Sequence, residues 1–200
     1  MKIQQPCSKD IAKPSTGLQW QRFSPWLFYL NNLLLAIGYV TLLLYALIWK
    51  AGNIVDSPTR KIGFYNFCWW DQEAEKLECF KNLEKVGINS VALVLSRICV
   101  YSTPVLCLFV ATIVLQAMCL KDRDGFKLAC IFLAIGSLML PVGVALFIFH
   151  TEPWIRVSEF GEVFVALAGA HILMLLHLIF IVLFLAHCKH ALPKGQIFPV

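Results

Sequence analysis

The chain has 200 residues and a formal net charge of +5; 59% of its residues are hydrophobic and 14% are charged. Soluble domains average about 45–50% apolar and about 25% charged residues, so this composition is more apolar than a soluble fold needs. A bilayer accepts apolar side chains on the outside of a helix bundle as well as inside it. The composition therefore predicts a membrane protein. The basic residues flank apolar runs and do not form a polar domain, which argues against nucleic-acid binding.

Four apolar stretches occur along the chain, at residues 26–49, 91–118, 128–149 and 161–186. Each approaches or exceeds the roughly 20 residues that cross a hydrocarbon core as a helix, and helices satisfy their backbone polar groups internally. The first stretch follows about 25 largely polar residues and is longer than a signal-peptide core, so we expect it to stay in place as a signal anchor. These features predict a mainly α membrane protein, a four-helix transmembrane bundle.

Lysine and arginine counts suggest the orientation of the bundle. One side carries nine basic residues and the other carries seven, so the excess is small. Because cytoplasmic flanks are enriched in basic residues, we expect both chain ends in the cytoplasm. The cytoplasmic parts would be an N-terminal segment, a turn and a tail, at residues 1–25, 119–127 and 187–200. The extracellular or lumenal loops would be residues 50–90 and 150–160.

Two of the eight cysteines, Cys68 and Cys79, share a loop away from the apolar stretches. Such a pair favours a disulfide if the loop faces an oxidising compartment, which agrees with an extracellular or lumenal location. A zinc site is the competing interpretation. It normally needs four ligands, and the loop contains no third cysteine and no histidine.

The same loop predicts a small antiparallel β-sheet. Residues 62–70 (IGFYNFCWW) are rich in β-branched and aromatic side chains and follow Pro58, which is typical of a strand. Residues 77–80 would form the partner strand, with the disulfide joining the two. The aromatic side chains would cover the end of the bundle, or some of them would form a contact surface for another protein.

The first loop carries a signature of one glycine, two aromatic residues and two cysteines: Gly63, Phe64, Tyr65, Cys68 and Cys79. This signature resembles the glycine, leucine, tryptophan and paired-cysteine motif in the first outer loop of claudin-like four-span proteins. The glycine-to-cysteine spacing matches, whereas Phe-Tyr replaces Leu-Trp. The resemblance implies a sheet packed on a four-helix bundle and lateral association in the membrane.

Two further residues, Trp49 and Arg97, fall where the claudin-like group places a tryptophan and an arginine, although the spacing from tryptophan to glycine is shorter here. A closer resemblance is to the transmembrane protein 140 family. Residues 45–68 (YALIWKAGNIVDSPTRKIGFYNFC) are very similar to the corresponding segment of that family, and residues 83–87 and 95–101 are similar to a lesser degree. The function of that family is essentially unassigned, so the resemblance implies an architecture and no activity.

One arginine and two cysteines within or next to the apolar stretches are candidates for a specific role. Arg97 lies about two turns into the second apolar stretch, where a charge needs a partner, such as Glu162, Glu159 or an acidic residue of the loop, or must extend outward. We expect it to act as a structural cation that ties the bundle to the sheet; an ion path is the alternative. Cys119 and Cys188 lie next to lysines at the cytoplasmic ends of two stretches and are candidates for acylation.

Recognisable catalytic constellations do not occur in the sequence, so we expect a protein that is not an enzyme and has no cofactor or metal. The leading expectation is a structural or interaction protein that contacts membrane lipid and associates laterally with other membrane proteins or with itself, without nucleic acid or a small-molecule substrate. The alternatives are an accessory subunit of a channel or transporter and, less favoured, a small membrane enzyme. The sequence does not distinguish the plasma membrane from an internal membrane.

Overall fold

The computed structural model describes residues 25–72, 75–80, 90–120, 123–152, 155 and 159–190. The N-terminal segment up to residue 24 and the tail from residue 191, both predicted to be cytoplasmic, lie outside the described residues. The described part contains four long helices and one small sheet.

The prediction of four membrane-length helices is confirmed within the described residues. The helices are α1 (Pro25–Leu44), which continues into a π-helical turn (Tyr45–Trp49), α2 (Ser90–Leu120), α3 (Arg123–Thr151) and α4 (Glu162–His190). All four are long and apolar enough to cross a membrane. They pack mainly as a ring in which α1 contacts α2 and α4, and α3 contacts the same two helices.

Helices α2 and α3 extend beyond the apolar stretches that predict them, so the connection between them is far shorter than the expected turn at residues 119–127. Helix α2 ends at Leu120 and α3 begins at Arg123. Charged residues lie at the start of α3, where Lys127 pairs with Asp124 at 2.6 Å. Hydropathy detects only the apolar part of a helix, so it misses these polar ends. Ion pairs between residues i and i+3 stabilise a helix where it is exposed to water.

Close contacts between small and polar residues hold the helix pairs together. The Ser96 hydroxyl donates to the Gly143 carbonyl oxygen at 2.7 Å between α2 and α3. A Cβ atom added at Gly143 would lie only 2.7 Å from a methyl group of Val100, so the glycine permits this approach. Between α1 and α4, the side chains of Asn32 and His177 are hydrogen-bonded at 3.1 Å, and both are fully buried.

The loop between α1 and α2 folds into a four-stranded antiparallel sheet with the strand order β1-β2-β3-β4. The strands are β1 (Asn53–Asp56), β2 (Arg60–Gly63), β3 (Phe67–Asp71) and β4 (Lys76–Cys79). The prediction of one continuous strand over residues 62–70 is wrong. The chain turns between β2 and β3, where the Gly63 amide donates to the Asn66 carbonyl oxygen at 2.8 Å.

Candidate functional site at the sheet end of the bundle

The sheet lies at one end of the bundle, where the π-helical turn stops at Trp49, α2 and α4 begin and α3 ends. We call this the sheet end. The disulfide predicted between Cys68 and Cys79 is present there, and it joins residues that face each other directly in β3 and β4. Because the two sulfur atoms are bonded to each other, they are not available as zinc ligands.

Aromatic side chains attach the sheet to the bundle. Phe64 is fully buried and Phe67 is nearly so, and both lie against Phe147 of α3, with ring centroids 4.8 Å and 6.2 Å away. Ile54 and Ile62 are also buried beside them. These side chains cover the end of the bundle, which is the first of the two roles that the sequence left open.

Gly63 stands at a position where two backbone segments approach closely. A Cβ atom added there would lie 2.5 Å from the Gly52 carbonyl oxygen and 2.7 Å from the Asn53 Cα atom. Gly52 itself has φ of +65°, in the left-handed region where a side chain is strained. The glycine of the first-loop motif therefore allows β2 to pair with the start of β1.

Other aromatic side chains at the sheet end remain exposed. Trp49 has 82% of its surface exposed, Tyr65 has 57% and Trp70 has 43%. Trp69 behaves differently, because its ring contacts Phe80 with centroids 4.1 Å apart. The aromatic residues of the loop thus divide into a buried set that attaches the sheet and an exposed set that faces its surroundings.

Hydrogen bonds and ion pairs connect the sheet end to α4. The Glu162 carboxylate accepts a hydrogen bond from the Tyr45 hydroxyl at 2.8 Å and pairs with Lys50 at 2.9 Å. The hydrogen bond that Lys50 donates to Glu162, together with the negative charge of Glu162, raises the pKa of Lys50 above its ordinary value, so the lysine stays charged. The Gly161 amide donates to the Ile54 carbonyl oxygen at 2.9 Å, which attaches β1 directly to the start of α4.

Arg97 contacts the turn between β2 and β3. Its Nε donates to the Phe64 carbonyl oxygen, and its guanidinium carbon lies 4.7 Å from the centroid of the Tyr65 ring. Of the carboxylates that the sequence offered as partners, Glu162 pairs with Lys50 and Glu159 pairs with Arg60. Within the described residues, a backbone carbonyl and an aromatic ring are the contacts of Arg97.

The cysteines proposed for acylation lie at the opposite end of the bundle. Cys119 is a free, exposed thiol in the last turn of α2. Cys188 belongs to the last turn of α4, but its side chain lies outside the described residues. Among the residues that the structure describes, no group of three or more His, Cys, Asp or Glu side chains could hold a metal ion.

Sequence reasoning did not identify which polar residues, distant in the chain, are paired with each other. Tyr45 and Glu162 are 117 residues apart, and Asn32 and His177 are 145 residues apart. The available signal was weak: each helix of the second pair carries a polar residue inside an apolar stretch. Such residues tend to face one another in a bundle, but a single sequence does not pair them.

A comparison with protein families gives the chain its classification. A model of the TM140 protein family matches residues 21–194, which include all four helices and the sheet. The chain belongs to the TM140 protein family. The disulfide, the close approach at Gly63 and the contacts of Arg97 all lie within the matched region of this family member.

Proposed function

We propose that this member of the TM140 family is a non-enzymatic membrane protein that associates laterally with other membrane proteins or with further copies of itself. In this proposal the sheet end, organised as in claudin-like proteins, provides the contact surface. The carrying observation is that β3 keeps Trp70 exposed on a sheet that is otherwise fixed to the bundle.

The attachment of the sheet supports this proposal. Phe64 and Phe67 pack on α3, Arg97 bonds to the turn, and Gly161 bonds to β1. A surface held in this way loses little conformational entropy when a partner binds, which favours affinity. Exposed tryptophan side chains contribute strongly to protein interfaces, because they bury a large apolar area and also offer a hydrogen-bond donor.

The disulfide supports placing the sheet on the extracellular or lumenal side, because disulfides persist in oxidising compartments. The small excess of basic residues at the other end of the bundle agrees with this orientation. The partner would then be a membrane protein with its own domain on that side, or a second copy of this chain.

The experiment compares native complexes of tagged full-length protein by blue native electrophoresis and cross-linking mass spectrometry. We expect Trp70→Ala and Trp49→Ala to shift the protein to smaller complexes and to remove cross-links at the sheet end. The matched control is Leu120→Ala, an exposed apolar residue at the opposite end of α2. Unchanged complexes in both tryptophan variants would refute the proposed contact surface, provided that the variants reach their normal membrane.

A further inference from the structure

The depth of Arg97 in the bundle suggests what it contacts beyond the protein. The apolar span of α2 covers 30 residues, Val91–Leu120. At 1.5 Å per residue, this length is about 45 Å, which equals the thickness of a bilayer with its headgroups, about 40–45 Å. Arg97 lies six residues from the sheet end of that span. This distance is about 9 Å, so the residue stands close to the boundary between acyl chains and phosphate groups.

Among the residues that the structure describes, the contacts of Arg97 engage only part of its guanidinium group. The Nε donates to the Phe64 carbonyl oxygen, and the guanidinium carbon lies over the Tyr65 ring, 4.7 Å from its centroid. Within the part of the chain that the structure describes, the two Nη atoms donate to no other residue. Glu162 is engaged by Lys50, so it does not neutralise this arginine.

Exposed apolar side chains lie on the same part of α2 as Arg97. Val91, Val94 and Ile98, all on α2, are 74%, 49% and 57% exposed. In a bilayer, such side chains contact acyl chains. A guanidinium at this position therefore has lipid beside it and needs a negative group at the level of the headgroups.

We propose that Arg97 binds the phosphate group of a phospholipid in the leaflet on the sheet side. The Nη atoms donate hydrogen bonds to the phosphate oxygens, since the planar guanidinium matches two oxygens at once. The acyl chains of this lipid lie along the exposed face of α2. The Phe64 carbonyl and the Tyr65 ring hold the guanidinium in place, and the site stands independently of the protein contacts proposed for Trp49 and Trp70.

The test is native mass spectrometry of the full-length protein in detergent, titrated with dioleoyl phosphatidylglycerol. We expect wild-type protein to bind one molecule of phosphatidylglycerol more tightly than any further molecules. Arg97→Gln should weaken the binding of that first molecule about tenfold, as the loss of a charged hydrogen bond implies. Arg97→Lys keeps a charge but not the paired donors, so an intermediate affinity is expected. The matched control is Lys61→Gln, which removes a positive charge from β2 and should leave the affinity unchanged.

Two further ligands identify the source of the phosphate. Dioleoylglycerol has the same chains without the phosphate and should bind at least about tenfold more weakly, while glycerol 3-phosphate has the phosphate without the chains and should not compete. If glycerol 3-phosphate competes as well as the lipid does, the site binds free phosphate and the lipid proposal is wrong. Equal affinity of wild-type and Arg97→Gln protein for phosphatidylglycerol would also overturn it.

A measurement on wild-type protein keeps the proposal testable if Arg97→Gln does not fold. Phosphatidylglycerol with a photoreactive diazirine close to its glycerol end is incorporated into nanodiscs with the protein. We expect labelling near Val94 and Ile98 that excess unlabelled phosphatidylglycerol suppresses and excess dioleoylglycerol does not. Equal suppression by both lipids would mean that the phosphate is not recognised, which refutes the proposal.

Discussion

Removal of the disulfide, with Cys68→Ser and Cys79→Ser combined, should loosen one hairpin and leave the bundle intact. β4 is the last strand of the sheet, and it pairs only with β3. Its residues are mostly exposed, so little apolar burial holds it in place. The cysteines are 11 positions apart, and closing a loop of about a dozen residues stabilises the folded hairpin by roughly 3 kcal/mol in the chain-entropy description.

Hydrogen exchange measures this effect locally. A loss of roughly 3 kcal/mol corresponds to about a hundredfold faster exchange in peptides that cover residues 67–80, when exchange follows the equilibrium of local opening. The Phe80 amide, which donates to the Phe67 carbonyl oxygen at 2.9 Å, should be among the most affected. Peptides from the four helices should exchange as in wild type.

The control for the loss of cysteine is Cys119→Ser, which removes a free thiol far from the sheet and should change no peptide of the hairpin. Reduction of the wild-type protein should reproduce the exchange of the double variant. If the exchange rate of residues 67–80 rises less than about threefold over the control, the backbone hydrogen bonds between β3 and β4 hold β4 without the disulfide. The stabilisation assigned to the disulfide is then wrong.

Two other predictions follow from close contacts. Gly63→Ala places a Cβ atom 2.5 Å from the Gly52 carbonyl oxygen, so we expect a loss of about 1–3 kcal/mol in unfolding free energy. Gly169→Ala is the control, since its Cβ atom would meet only a side-chain carbon at 3.4 Å; equal stability of the two variants would contradict the steric argument. A double-mutant cycle of Asn32→Leu and His177→Leu, measured by steric trapping in bicelles, should give a coupling energy of about 0.6 and at most about 1.7 kcal/mol. If the two losses of stability are purely additive, the 3.1 Å hydrogen bond between these side chains is not stabilising.

Local sequence patterns were sufficient to predict those parts of the fold that depend on one strong signal. The four helices follow from apolar runs that no soluble fold would need, and the disulfide follows from two cysteines isolated in one loop. The hairpin of β3 and β4 was also within reach. The turn between β2 and β3 was not predicted, because Gly63 and Asn66, which flank it, stand within a run of aromatic residues that is typical of a strand.

The side chains of the candidate site needed the tertiary structure. Aromatic residues of one short segment separate into buried Phe64 and Phe67 and exposed Trp70, and this division depends on where α3 places Phe147. The partners of Arg97 depend equally on distant segments, since its hydrogen bond to Phe64 joins residues 33 positions apart. Pairings of this kind are set by helix packing, which a single sequence does not encode in any local pattern.

By itself the sequence predicted a membrane protein with four segments long and apolar enough to cross a bilayer, and it favoured a disulfide between Cys68 and Cys79. Each of these is decided by the free energy of a local segment: the transfer of an apolar stretch into lipid, or the closure of one short loop. The tertiary structure decided that the sheet has four strands packed against the bundle, and that Arg97 bonds to a backbone carbonyl and lies over an aromatic ring. Those outcomes depend on contacts between residues far apart in the chain, whose free energies exist only after the helices have packed.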